Sequence, residues 1–126
     1  MAAATSSATI VVVESDPAAQ ELIDQALREC GHRVLVTGDP LEALKLGQRV
    51  RIDLLVEDAE PWRDEPSLVA RLRSMQPDMR LIRVSEGDEQ QHLCELDGVV
   101  FLCRPLSLDE LEDAVARALN GHPSVA

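Results

Sequence analysis

Tyrosine is absent from this chain of 126 residues, and one phenylalanine and one tryptophan are its entire aromatic complement. The first apolar run is followed by no Gly-rich or Ser/Thr-rich loop that could cradle a phosphate. Together these absences argue against a nucleotide-cofactor enzyme. Cysteine is scarce and unpaired in pattern: Cys30, Cys94 and Cys103 are odd in number and contain no Cys-x-x-Cys. Neither a disulfide framework nor a zinc site follows, and a reduced, cytoplasmic setting is expected. Basic residues are few, 12 against 23 acids, for a net charge of -11. Such a surface repels nucleic acid and anionic membranes, so neither is expected as a direct partner. No apolar run reaches the length of a bilayer-spanning helix, and Met1 to Ala8 shows neither the basic nor the hydrophobic region of a secretory leader. Residues 1–8 are expected to be a disordered tail, residues 9–120 a single domain, and residues 121–126 a linker stub or terminus.

What is present is alternation. Thr9 to Val13 is β-branched and uncharged, which suits a strand covered on both faces. Asp16-Pro17 opens a helix running to about Cys30, with Leu22, Ile23, Ala26 and Leu27 at helical spacing and Gly31 as the stop. His32 to Thr37 reads as a strand. Asp39-Pro40-Leu41-Glu42 caps a second helix with an apolar side of Leu41, Ala43, Leu44 and Leu46. A central strand covers 52–57. A helix from Pro66 to about Met75, a strand from Arg80 to Ser85, a very polar helix from Glu86 to Leu96 and a strand from Gly98 to Cys103 follow. Ser107-Leu108-Asp109-Glu110 is a capping box for a last helix to Asn120. Five strands alternating with five helices predict a three-layer, doubly wound α/β fold, its five-stranded parallel sheet covered on both sides.

Two of the apolar runs end abruptly in acids: Val11-Val12-Val13-Glu14-Ser15-Asp16-Pro17 and Leu54-Leu55-Val56-Glu57-Asp58-Ala59-Glu60-Pro61. If the two strands are neighbours, their carboxylates converge at the carboxyl edge of the sheet, where open α/β folds bind ligands. The strand order 2-1-3-4-5 would make them so.

In this order and spacing, these two runs, Ser85 and Phe101-Leu102-Cys103-Arg104-Pro105 resemble the response-regulator receiver domain, the CheY-like family, over roughly residues 9 to 120. The resemblance implies the flavodoxin-like order 2-1-3-4-5 and a two-component phosphorelay. A sensor histidine kinase or phosphotransfer protein would supply a phosphoryl group to Asp58. Magnesium would sit among Glu14, Asp58 and Glu60, with Ser85 as the hydroxyl and Arg104 as the cation. State would pass to a downstream protein or output domain through the face of helix four, strand five and helix five. The module would be a switch and not an enzyme.

Three positions depart from the family pattern. Ser15 stands where a second acid is usual, Arg104 where a lysine is usual, and the loop after Asp58 is one residue short. Counting forward from Asp53 places the acceptor at Asp58, whereas counting back from Pro61 places it at Glu57. Adjacent strand residues point to opposite faces, so one of the two, and not both, can join Glu14. The departures also allow a pseudo-receiver of the same fold that works by protein contact without phosphoryl chemistry. Trp62 could be a partner contact or a lid. His32, His92 and His122 show no metal-binding spacing and are expected in solvated positions.

Overall fold

In the computed structural model, described for residues 7–58, 67–85, 93–96, 99–103 and 107–120, and for the side chains of all of these but 58, 67, 68, 85 and 93–96, the apolar runs form one sheet. The elements are β1 (Thr9–Val13), α1 (Pro17–Glu29), β2 (Arg33–Thr37), α2 (Pro40–Arg49), β3 (Leu54–Asp58), α3 (Ser67–Met75), β4 (Arg80–Ser85), β5 (Leu93–Leu96), β6 (Val99–Cys103) and α4 (Leu108–Asn120). The sheet order is β2-β1-β3-β4-β6-β5. β2, β1, β3, β4 and β6 are mutually parallel. The expected five-stranded parallel order therefore stands, with β6 as its fifth strand.

The polar helix expected over Glu86 to Leu96 is corrected. Leu93–Leu96 is a strand, antiparallel to β6; residues 86–92 lie outside the described part. Next to β4, β6 has only one edge satisfied, and the short β5 pairs the backbone groups of the other. A helix lying over the sheet would have left that edge to water. Four helices, not five, are present among the described residues.

Alternation along the strands sorts their side chains into two layers. Ile10, Val12, Leu54, Val56, Ile82, Val84, Val100 and Leu102 face α1 and α4, packing on Ile23, Leu27, Leu111 and Val115. Val11, Val13, Leu55 and Leu81 face the other way, onto Ala43 of α2 and Leu72 of α3. Burial on both faces explains why these strands read as unbroken apolar runs.

The helix starts follow their caps. The Asp16 carboxylate accepts the Ala19 N–H at 3.0 Å, the Asp39 carboxylate that of Leu41 at 3.0 Å, and the Ser107 hydroxyl that of Glu110 at 3.0 Å. Pro17 and Pro40 occupy first-turn positions that need no donor. At the far end of α1, Gly31 takes φ +93, a conformation that a side chain would strain. The end of α2 is tied down by Gln76, whose amide donates to the Gly47 and Val50 carbonyls at 2.8 and 2.9 Å and accepts the Ile52 N–H at 2.6 Å. One side chain thus fixes where α2 stops and the path into β3 begins.

Gly47 is where α2 and α3 approach closely. A Cβ there would lie 2.5 Å from Cδ2 of Leu72, a side chain with no solvent exposure. Gly47→Ala gains up to about 1 kcal/mol of helix propensity but overpacks the contact at a cost of about 2 kcal/mol. A net loss of about 1 kcal/mol is expected, read as a lower denaturant midpoint.

Ala8, counted with the tail in the sequence, is already in the fold: it is buried, its carbonyl accepts the Arg33 N–H at 2.9 Å, and its own N–H donates to His32 Nδ1 at 3.1 Å. His32 is half-buried and not the solvated residue expected, and burial lowers its pKa. The unfolded chain therefore takes up a proton first as pH falls. This contribution to stability is whole above the ordinary histidine value of about 6.5 and is lost as pH drops through the lowered folded value. Acidification from neutral should lower the denaturant midpoint. In His32→Gln, which keeps an acceptor for Ala8 but does not titrate, that window should flatten relative to the parent.

Candidate functional site

Glu14 follows the last residue of β1, and its 2% exposure makes it a buried carboxylate. Three contacts hold its backbone and side chain. Its N–H donates to the Thr37 carbonyl at 2.9 Å, its carbonyl accepts the Gln20 amide, and its Oε2 accepts the Asp16 N–H at 3.1 Å. The turn from β1 into α1 is thereby clasped between β2 and the first turns of the helix. Gly38 packs against it, and a Cβ there would meet the Glu14 carbonyl at 3.4 Å.

Strand register places the other candidates. Val13 is paired with Glu57, so Glu14 and Asp58 are the next positions on two neighbouring parallel strands. Asp58 is paired with Val84, the residue before Ser85, and Ser85 with Cys103, the residue before Arg104. Four strands in a row, β1, β3, β4 and β6, thus carry the candidates at or just past their carboxyl ends. Arg104 and Glu60 lie outside the described residues, as do Trp62, His92 and His122. The side chains of Asp58 and Ser85 are outside it too, and their placement is that of the backbone.

Glu57 has a different environment. It is buried to 1% exposure, and its Oε2 lies 2.7 Å from Nε of Arg83, its cross-strand partner on β4. Alternation puts this pair in the layer of Leu55 and Leu81, facing α2 and α3. Glu14 alternates with Val13 and so falls with Val12 on the α1 side. Glu57 is therefore engaged with Arg83 on the α2 and α3 side of the sheet, away from Glu14. The Arg83 partnership was missed in the sequence. Its trace there is a charged residue interrupting each of two apolar strands, meaningful only once the register aligns them.

Carboxylates are the hard oxygen donors that magnesium prefers. Among the described residues no group of three His, Cys, Asp or Glu side chains is gathered for a metal. Glu14 is the one described donor of the expected set, and Ser15 beside it is exposed. Partial desolvation, then the nearby Glu112 carboxylate, raise the pKa of Cys30 at the end of α1, which disfavours its thiolate. No helix among the described residues is long and apolar enough to cross a membrane.

No family model matches the chain, but individual proteins do. The DNA-binding transcriptional regulator NtrC of Azospirillum brasilense is 31% identical over 121 residues, covering 93% of this chain and 25% of that protein. Sporulation initiation phosphotransferase F of Bacillus subtilis is 25% identical over 114 residues, covering 87% of this chain and 92% of that protein. Among solved structures, the receiver domain of the hybrid histidine kinase CckA matches with a TM-score of 0.74 and 29% identity, over 89% of this chain and 99% of that one. The chain spans a quarter of the length of NtrC, and nearly all of phosphotransferase F and of the isolated CckA receiver domain. Shared sequence and sheet order agree: the homologues and structural neighbours of this chain are response-regulator receiver domains, and its sheet has the CheY-like order.

Proposed function

We propose that the domain accepts a phosphoryl group on Asp58 and passes its state to a protein partner. The observation that carries this reading is the register that sets Glu14 and Asp58 on adjacent strand ends, with Ser85 and Cys103 next along the same edge. An Asp58 carboxylate oxygen would attack the phosphorus of a phosphohistidine on a sensor kinase or phosphotransfer protein. The P–N bond breaks, the imidazole keeps the electron pair, and an acyl phosphate forms on Asp58. Such transfers rest on positioning and on cancelling charge at the phosphoryl oxygens. The Ser85 hydroxyl and the Arg104 guanidinium are the groups for that task. Magnesium, held by Glu14, Asp58 and Glu60, would supply the remaining neutralisation. Each molecule takes one phosphoryl group, so the domain is a switch and not an enzyme, working in the cytoplasm. The face that reports the state would be built by β5, β6 and α4, with a strand where a helix was expected.

The test is intact mass after incubation with magnesium and acetyl phosphate. Gain of one phosphoryl group, lost on omitting magnesium, is expected; an unchanged mass at high magnesium would overturn the reading. A second reading, a pseudo-receiver acting by contact alone, is favoured by Ser15, exposed where the family carries an acid. Under the first reading Ser15→Asp adds a charged ligand and should tighten magnesium binding by about tenfold. Calorimetric titration showing unchanged affinity would remove Ser15 from the metal site.

A further inference from the structure

The end of the sheet opposite the acidic edge, where the parallel strands begin, holds a recess of about 680 Å³. Three arginines line it: Arg51 from the approach to β3, Arg73 from the last turn of α3 and Arg80 from the start of β4. The chain has only 12 basic residues and a net charge of -11, yet here three guanidinium groups outnumber the two carboxylates, Asp53 and Asp78, that line the same hollow. Arg51 is partly engaged, its Nε 3.4 Å from Oδ1 of Asp53. Neither Arg73 nor Arg80 makes an ion pair or a side-chain hydrogen bond among the described residues. The Nε of Arg73 is buried and without an acceptor. Buried donors are nearly always paired, and an unmade bond of this kind is a cost that needs a reason.

Two acids share the recess, and one of them is already answered. Asp53 accepts the Thr9 N–H at 2.8 Å and faces Arg51, while Asp78 sits exposed in the turn before β4. Arg73 and Arg80 are left over. The planar guanidinium fork matches an oxyanion with parallel donors, better than an ammonium would. The volume falls within the range of small-molecule sites, roughly 300 to 1,000 Å³, and Ala8, Met79 and Leu119 supply apolar wall. A long polyanion would meet the acidic surface around the hollow, whereas a small one would not.

We infer that this recess binds a small organic phosphate, its phosphate on Arg73 and Arg80 and its organic part against Ala8, Met79 and Leu119. The site lies at the other end of the strands from Asp58 and does not depend on phosphorylation there. The test titrates pyrophosphate and, separately, ADP into the isotope-labelled full chain without magnesium, following amide shifts. Saturable shifts at Ala8, Asp53, Asp78 and Met79 are expected with both probes. ADP should bind more tightly and also move Leu119. Arg73→Gln/Arg80→Gln should weaken binding of both probes about tenfold or more. Arg80→Glu, at an exposed position, gives the same test should the double variant fold poorly. Absence of shifts with either probe, affinity unaltered in both variants, or ADP binding no tighter than pyrophosphate would overturn the inference.

Discussion

Asp58→Asn should leave the protein folded and unable to gain phosphoryl mass from acetyl phosphate, while Glu57→Gln should still gain it. An amide is isosteric with the carboxylate but has no anionic oxygen to attack phosphorus, so the loss is complete and not graded. The contrast between the two variants draws its force from the pleat. Glu57 pairs with Val13 in register, lies in the α2 and α3 layer and holds Arg83 at 2.7 Å. Asp58 stands one step on, beside Glu14. Phosphorylation that survives in Asp58→Asn and disappears in Glu57→Gln would show that the acceptor is the paired residue.

The second large effect is on stability. Glu57 is buried to 1% exposure, and its Arg83 partner keeps about a third of its side chain in solvent. Arg83→Met removes the cation facing a buried carboxylate, and such losses cost about 3 to 5 kcal/mol. The half-open position of Arg83 and the further interactions of Glu57 place the expectation at the low end, about 3 kcal/mol. Replacing both partners, in Glu57→Leu/Arg83→Met, should restore most of it, because neither desolvated charge is then left behind. Equilibrium denaturation of the two variants checks this. A double variant as unstable as the single would mean that the pair is not what Arg83 contributes.

Much of this architecture was legible in the residues because buried parallel strands leave a strong imprint. Thr9–Val13 and Arg80–Ser85 are found where their apolar runs predict, and the caps at Asp16, Asp39 and Ser107 place three helix starts. β5 was not legible. Its surroundings are polar, and what makes it a strand is the open edge of β6, a partner that no local pattern reveals. Apolar spacing also overstated the core: Leu22, Leu41 and Leu108 sit at helical intervals yet are 43%, 62% and 44% exposed, because they flank the buried stripe. Asp53 read as a spacing marker for the acceptor. Its carboxylate in fact fastens the start of β1 through the Thr9 N–H. For the site, the adjacency of β1 and β3 was read correctly, whereas the partner of Glu57 became visible only with the register that sets it against Arg83.

Beryllofluoride imitates an acyl phosphate without requiring a kinase, and amide spectra recorded as it is added with magnesium probe the shared strand ends directly. Changes centred on Glu14, Ser15, Asp58 and Ser85, dependent on magnesium and absent from Asp58→Asn, are expected. Spectra that stay unchanged at saturating magnesium and beryllofluoride, or that move only around Glu57 and Arg83, would contradict a phosphoacceptor at this edge of the sheet.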